Sequence, residues 1–290
     1  MRWHDPWGRP MIGRIKRSLI IAASTVTRKL NGQYAQAILV KSGDMKFLVS
    51  PDDMVVGRYL RRFGKYGDDE LSLLTSLITN NSCCLFVGTH VGAIALPISK
   101  IVKEACLVEA NPHTFQLLQL NLLINNIDNC DVFNFAAGEA NGEIRFVLSK
   151  VNSGGAKREP IVKEKMYYCD NPDTISVPLK ILDDVFLNRT FDLILMDIEG
   201  SEYFALKGMK RLLNGAQYLV MEFIPHHLDN VSGVTVEELV SLIDDFFDYL
   251  FVPSLRVNAR KEEFVGVLKR MYDAGLSDAG IVFSKQKLEM

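Results

Sequence analysis

The chain has 290 residues, of which 48% are apolar, so it can bury a full core as one large domain or two small ones. With 33 basic against 35 acidic residues its net charge is near zero, which argues against a nucleic-acid binder that relies on bulk positive charge. Five cysteines without Cys-x-x-Cys or Cys/His metal spacing predict structural thiols in a reducing compartment, and hence a cytoplasmic protein without a bound metal.

The first 35 residues are strongly basic, with seven Lys or Arg against one Asp. The run Arg14-Ile15-Lys16-Arg17 precedes an apolar stretch at residues 18–23, which is short for a signal peptide and far too short to span a bilayer. The pattern predicts a basic amphipathic helix. A solvated helix, packing on the domain, and contact with a membrane surface or partner all stay open for it.

An N-terminal extension is predicted over residues 1–67, followed by a catalytic domain over residues 68–290. Residues 37–40 and 45–49 alternate in polarity around a Gly-Asp turn, which predicts a hairpin. Helices are predicted over residues 55–63 and 68–79, where apolar residues recur at helical spacing. The extension therefore consists of a basic helix, a hairpin and a further helix.

From residue 82 onward, apolar strands alternate with amphipathic helices. Strands are predicted over residues 82–87, 105–109, 131–136, 142–148, 175–179, 191–197, 217–223, 249–252 and 280–284. Apolar strands that alternate with helices are typical of an α/β fold with a doubly wound, mainly parallel sheet. The charged, proline-bearing run 157–173 is predicted to lie on the surface.

A glycine turn follows the first strand of this alternation. Gly88 and Gly92 stand four residues apart, and Glu109 ends the second strand 21 residues after Gly88. Such glycines allow close approach to a ligand, and the acid can accept hydrogen bonds from both ribose hydroxyls. Because the spacing is not the GxGxxG that accommodates a pyrophosphate, the pattern indicates a nucleoside without phosphates, of which S-adenosylmethionine is the commonest cofactor.

Polar residues stand at the ends of the predicted parallel strands, where ligands bind in such sheets. An unpaired charge in the core is costly, so the strand that ends in Asp197 and Glu199 must place both carboxylates at the sheet edge. Glu222 and His226-His227 follow the fifth strand. The cofactor-binding residues that we predict at these ends are Gly88, Thr89, His90, Gly92, Glu109, Ala110, Asn111, Ala136, Ala137 and Asp197.

Four motifs in this order resemble those of the FkbM-type S-adenosylmethionine-dependent methyltransferases, a class I methyltransferase family. They stand at residues 86–92, 108–112, 182–184 and 196–202, within a resemblance that covers about residues 68–223. The resemblance implies a Rossmann-like sheet of seven strands and S-adenosyl-L-methionine as the cofactor. It also implies methyl transfer to a hydroxyl of a small-molecule acceptor, such as a sugar, a glycan or a polyketide-like compound, with no nucleic acid as partner.

A base that takes the hydroxyl proton typically accelerates such a reaction about 10²–10⁴-fold. We predict Asp197, Glu199 and His90 as catalytic residues, with the two acids first because their strand faces the cofactor cleft; His226 is a further candidate. The two acids could equally stabilise the dipole of the helix that follows them. His226 and His227 could be plain loop residues, since adjacent histidines point in different directions.

Two positions depart from the family pattern, because Phe86 replaces an Asp and His90 replaces an Asn. The family's Asp helps to organise the methionine end of the cofactor, so a pseudo-methyltransferase that binds without turnover is an alternative function. A nicotinamide-dependent oxidoreductase is a second alternative, disfavoured by the glycine spacing.

Overall fold

The computed structural model describes residues 10–32 and 34–289, with side chains from residue 18 onward. The N-terminal part contains the predicted hairpin and helices, and residues 1–9 of the basic segment lie outside the described residues. Its elements are helix α1 (Pro10–Asn31), strands β1 (Ile38–Ser42) and β2 (Met45–Val49), which pair antiparallel, and helices α2 (Val56–Phe63) and α3 (Asp68–Leu77). Within the described part of the chain, no helix combines the length and apolar character that crossing a membrane requires.

The predicted strand–helix alternation follows. Its first half comprises β3 (Cys83–Val87), α4 (Ala95–Ser99), β4 (Glu104–Val108), α5 (Pro112–Ile124) and β5 (Cys130–Phe133). Helix α5 begins after Asn111, whose side chain accepts a hydrogen bond from the His113 backbone N–H, and Pro112 occupies the first turn. The Asn111-Pro112 pair therefore starts the helix, as its sequence indicates.

A small second sheet interrupts the alternation. It contains β6 (Ala136–Ala137), β7 (Gly142–Leu148), β8 (Lys157–Arg158) and β9 (Asp173–Lys180), in the spatial order β6-β9-β7-β8. The strand predicted over residues 175–179 is thus present, but it belongs to this second sheet. An apolar alternation shows that a segment forms a strand, and tertiary contacts decide which sheet it joins.

The second half of the alternation completes the chain. It comprises α6 (Leu182–Val185), β10 (Leu193–Met196), α7 (Glu202–Lys207), α8 (Lys210–Gly215), β11 (Tyr218–Phe223), α9 (Pro225–His227), α10 (Val236–Val240), β12 (Tyr249–Val252), β13 (Val257–Arg260), α11 (Phe264–Asp273) and β14 (Asp278–Ser284).

The central sheet has the order β13-β12-β14-β11-β10-β3-β4-β5. Strands β11, β10, β3, β4 and β5 are parallel, and β14 runs antiparallel between β11 and β12. The predicted doubly wound, mainly parallel fold is confirmed. The sheet has eight strands where seven were predicted, because β13 forms an antiparallel hairpin with β12 at the edge. Strand order reverses between β3 and β10, which is the topological switch point where such sheets bind ligands.

Apolar layers cover both faces of the central sheet. Along β3, Leu85 and Val87 join the core of one face, while Cys84 and Phe86 join the core of the other. The second layer also contains apolar residues of the hairpin, α2 and α3. Phe86 is therefore fully buried beneath the N-terminal extension, where an ionised Asp would have to be desolvated at high cost.

Candidate functional site

A cavity of about 270 Å³ opens at the carboxyl ends of β3, β4, β10 and β11. This edge is the switch point of the sheet, as the sequence predicts. Part of the cavity wall comes from the N-terminal extension, and part from residues 149–158 and 166–170 around the second sheet. The volume is close to the roughly 300–1,000 Å³ typical of small-molecule sites.

The turn after β3 is held between the two neighbouring strands. The backbone N–H groups of Gly88 and Thr89 both donate to the carbonyl of Val108, at 2.9 and 3.2 Å. Gly88 has a φ of +88°, and a Cβ at this position would overlap the carbonyl oxygen of Asp197. Only glycine satisfies both the left-handed conformation and this close approach.

Glu109 stands at the end of β4 with its carboxylate in the cavity wall. Its Oε2 accepts the backbone N–H of His90 and its Oε1 accepts that of Asn111, both at 2.7 Å. Burial raises the pKa of Glu109 to about 7, although the backbone hydrogen bonds act in the opposite direction. The predicted ribose acid is thus oriented by two amides and faces the cavity.

Most of the predicted cofactor-binding residues line the same cavity. Gly92 and Asn111 do not: Gly92 allows close packing of Leu96, and Asn111 caps α5. Those that line the cavity are Gly88, Thr89, His90, Glu109, Ala110, Ala136, Ala137 and Asp197.

Asp197 is exposed to the interior of the cavity. Desolvation by the protein around the carboxyl, followed by the nearby Glu199, raises the pKa of Asp197 well above its usual value. The same causes, with Asp197 as the neighbouring acid, raise the pKa of Glu222 well above its usual value. Both carboxyls can therefore hold a proton closer to neutral pH than an ordinary surface acid.

Glu199 forms an ion pair with Lys157, Nζ to Oε2 at 2.7 Å, with side chains only 19% and 10% exposed. Lys157 Nζ also lies 5.3 Å from the centroid of the Tyr167 ring. The expectation that residues 157–173 form a surface run is wrong for Lys157 and Tyr167, which are buried. Pairing of β8 with β7 brings this segment to the cavity. Glu199 has a φ of +56°, an uncommon conformation outside glycine that often occurs at functional sites.

The two adjacent histidines differ in their surroundings. His227 is 5% exposed and lies between two acids, with Nε2 3.5 Å from Glu199 Oε2 and Nδ1 3.7 Å from Glu222 Oε2. Burial and Lys157 lower the pKa of His227 well below its usual value, and lower that of His226 to about 4. Both imidazoles are therefore neutral and weakly basic. His227 is more than a loop residue, because it contacts the ion pair.

Glu199, Glu222 and His227 could also hold a metal ion, since each offers one ligand atom and these atoms lie within 4.8 Å of one another. The ammonium of Lys157 already provides positive charge to Glu199 at 2.7 Å and lies 3.4 Å from His227 Nε2. A metal ion would have to compete with it. The prediction of a site without metal stays a prediction.

His90 contacts two residues that the sequence analysis does not identify. Its Nε2 lies 2.6 Å from Ser153 Oγ, and the Ser153 hydroxyl donates to Asp53 Oδ2 at 2.8 Å. Asp53 precedes α2 in the extension and is 1% exposed. The three residues are 37 to 100 positions apart, so no local pattern could have indicated the cluster.

Comparison with protein families shows a match over residues 87–258 to the model of the methyltransferase FkbM domain. No curated protein matches the chain. A methyltransferase FkbM from Methylobacillus flagellatus has 15% identity and a TM-score of 0.46. The alignment covers 96% of this chain but only 61% of the Methylobacillus chain, so this chain spans less than two thirds of that protein's length.

Two other solved structures are similar at lower scores. A TehB-like SAM-dependent methyltransferase from Corynebacterium glutamicum has 12% identity and a TM-score of 0.44, over 79% of this chain and 94% of its own. A putative Streptococcus mutans methyltransferase in complex with SAH has 8% identity and a TM-score of 0.43, over 76% and 97%. Likeness at this level says nothing about the acceptor.

Proposed function

Because this chain belongs to the FkbM methyltransferase family, we propose that it binds S-adenosyl-L-methionine and methylates a hydroxyl of a small-molecule acceptor. A sugar, a glycan or a polyketide-like compound is the acceptor class that we propose. The observation that carries the proposal is one cavity at the switch point of the sheet, with Glu109 in the wall at β4 and Asp197 in the wall at β10. A cofactor site and a candidate base thus share one space.

The residues present fit this cofactor. Gly88 lets the turn after β3 pack directly against the Asp197 backbone at the cavity wall, and the Glu109 carboxylate can accept hydrogen bonds from ribose hydroxyls. Asp197 and Glu222 have raised pKa values, and a positively charged ligand would favour their ionised forms. When bound, the cofactor supplies a methyl group that its sulfonium already activates.

The remaining task of the chain is to align the acceptor and accept its proton. Alignment alone can contribute about 7–11 kcal/mol to lowering the barrier. Asp197 is the base that we propose, because it lines the cavity and its pKa is raised well above that of an ordinary Asp. The Glu199 carboxylate is paired with Lys157, and burial lowers the pKa of both His90 and His226.

Calorimetric titration with S-adenosylhomocysteine tests the cofactor site. We expect Glu109→Ala to weaken binding by about tenfold or more, which corresponds to the loss of one strong hydrogen bond. Glu104→Ala, at the opposite end of β4, serves as the matched control and should bind like the wild type. Absence of binding to the wild type, or binding that Glu109→Ala leaves unchanged, would refute the proposal.

Release of S-adenosylhomocysteine from S-adenosylmethionine, measured with a panel of hydroxylated acceptors, tests the transfer. Asp197→Asn should lower turnover about 10²–10⁴-fold while S-adenosylhomocysteine still binds. Unchanged turnover would exclude Asp197 as the base.

A second candidate function is a binding module without turnover. Phe86 favours it, because an apolar ring occupies both the core and part of the cavity wall at a position where the family pattern has an acid. In that case Glu109→Ala would still weaken binding of the cofactor, and no acceptor in the panel would be methylated.

A further inference from the structure

A hydrogen-bonded chain of three residues determines where His90 carries its proton. Both carboxylate oxygens of Asp53 act as acceptors: Oδ1 from the Val55 backbone N–H at 2.7 Å, and Oδ2 from the Ser153 hydroxyl at 2.8 Å. A hydroxyl has only one hydrogen, so Ser153 Oγ can only accept from His90 Nε2, which lies 2.6 Å away. Nε2 must therefore be protonated.

A neutral imidazole has one protonated nitrogen, so Nδ1 of His90 carries a bare lone pair. Burial lowers the pKa of His90 in spite of the nearby Asp53, which keeps the ring neutral. Nδ1 is buried and has no hydrogen-bond partner within residues 10–32 and 34–289. A buried acceptor without a donor is costly, and His90 is one of the residues that line the cavity. The missing donor is thus expected to come from a ligand.

The position of His90 indicates which part of a ligand supplies the donor. Its backbone N–H is bound to the Glu109 carboxylate, so the imidazole begins beside the ribose-binding acid. The residue has a φ of +52°, a conformation that is uncommon outside glycine, and its ring contacts Ser153. Asp197, Glu199 and Glu222 line the same cavity; Glu199 is paired with Lys157, and a cationic donor would favour the ionised forms of Asp197 and Glu222.

We propose that Asp53 and Ser153 hold His90 in the Nε2–H tautomer, so that Nδ1 accepts a hydrogen bond from the α-ammonium of the cofactor's amino-acid end. The inference rests on the proposed cofactor. Asp53 and Ser153 are positioning residues, and His90 is the binding residue. The N-terminal extension would thereby take part in cofactor recognition, through a carboxylate that never touches the ligand.

Asp53→Asn tests the chain of hydrogen bonds with an isosteric change. The Asn carbonyl oxygen should keep the bond from the Val55 N–H, so its NH₂ group faces Ser153 Oγ and donates to it. The Ser153 hydrogen must then turn to His90 Nε2, which switches the ring to the Nδ1–H tautomer. Long-range ¹H–¹⁵N correlation spectra of the ligand-free protein report the tautomer directly, and His90→Asn identifies the His90 signals among the five histidines.

We expect the Nε2–H tautomer in the wild type and the Nδ1–H tautomer in Asp53→Asn. Asp52→Asn is the matched control, because Asp52 pairs with Arg28, and it should leave the tautomer unchanged. Should Asp53→Asn fail to fold, Ser153→Ala provides a second variant, in which Nε2 loses its partner and both tautomers should appear. An Nδ1–H tautomer in the wild type, or no change in either variant, would overturn the proposal.

Two ligands separate the ammonium from the nucleoside. S-adenosylhomocysteine carries the amino-acid end, whereas 5′-methylthioadenosine retains the adenosine and lacks it. Asp53→Asn should lower the affinity for S-adenosylhomocysteine by about tenfold or more and leave the affinity for 5′-methylthioadenosine unchanged. Equal weakening of both ligands, or of neither, would refute recognition of the ammonium. If the wild type bound neither, the proposed function would fail as well, while the tautomer measurement would still judge the Asp53–Ser153–His90 arrangement.

Discussion

Two walls of the cavity satisfy their charges by different means. In the turn wall (Gly88, His90 and Glu109), backbone N–H groups at most 19 residues away bind the carboxylate. In the ion-pair wall (Lys157, Glu199 and His227), a lysine of the second sheet reaches an acid of the central sheet 42 residues away. The turn wall therefore depends on backbone geometry, and the ion-pair wall on the balance of side-chain charges.

The turn wall should be broken most severely by Gly88→Ala, because the new Cβ would overlap the Asp197 carbonyl and strain a φ of +88°. We expect a loss of more than about 4 kcal/mol in the free energy of unfolding, measured with urea. Gly43→Ala is the control, since Gly43 also has a positive φ, +56°, but nothing within 4 Å of the added atom. It should cost about 1–2 kcal/mol. Equal losses in the two variants would contradict a steric origin.

The ion-pair wall should respond to Lys157→Met, which leaves Glu199 beside Asp197 and Glu222 without the ammonium that pairs with it. Breaking a buried pair costs about 3–5 kcal/mol, and the partial exposure of Glu199 places our expectation near the lower end. The double variant Lys157→Met/Glu199→Gln should recover most of this loss in the same urea experiment.

Lys163→Met provides the control for that experiment. Lys163 pairs with Glu159 at 2.9 Å but is 66% exposed, so its removal should change the free energy of unfolding by about 1 kcal/mol or less. If Lys157→Met lowered the free energy of unfolding no more than Lys163→Met does, the ion-pair wall would not depend on the balance of side-chain charges.

The smallest expected effect is a pH dependence of cofactor binding that belongs to the turn wall. Glu109 has a pKa raised to about 7, so its carboxyl is protonated below that pH and ionised above it. The ionised form accepts both ribose hydroxyls, so the affinity for S-adenosylhomocysteine should rise about tenfold between pH 6 and pH 8. In the ligand-free protein the sign is opposite, because a raised pKa stabilises the fold below about pH 4.5 and this stability is lost as the pH rises through 7.

Calorimetry at the two pH values with two variants assigns this effect. Glu109→Gln removes the titrating group, so its residual affinity should not vary with pH. Glu70→Gln is the control, because the pKa of Glu70 is also raised to about 7 by burial and it lines the same cavity. A pH dependence that disappears in Glu70→Gln and persists in Glu109→Gln would assign the titration to Glu70 and not to the turn wall.

The turn wall was largely predictable. A buried strand, a glycine turn and a strand-end acid occur within 27 residues, from Cys83 to Glu109, and their periodicity and spacing carry the information. The prediction included Gly88, His90 and Glu109. It also included Gly92 and Asn111, which the structure places outside the cavity lining, because a motif does not distinguish residues that shape a turn from those that face its ligand.

The ion-pair wall was predictable only on one side. Asp197 and Glu199 follow an apolar strand and must lie at the sheet edge, but Lys157 belongs to a charged run of the kind that usually covers a surface. Its burial results from the pairing of β8 with β7, which the alternation of residues 142–148 does not specify.

Phe86 illustrates the division between local pattern and tertiary contact. The pattern alone identifies a strand of the α/β sheet and an unusual apolar residue at its end, since hydrophobic periodicity is a property of neighbouring residues. Phe86 could mark the loss of a functional acid or could complete a core, and the residues that pack over it decide between the two. These residues come from the N-terminal extension. Contacts across 37 to 100 residues, such as Asp53 with Ser153 and His90, form because the fold closes long loops at modest entropic cost, and no local signal records them.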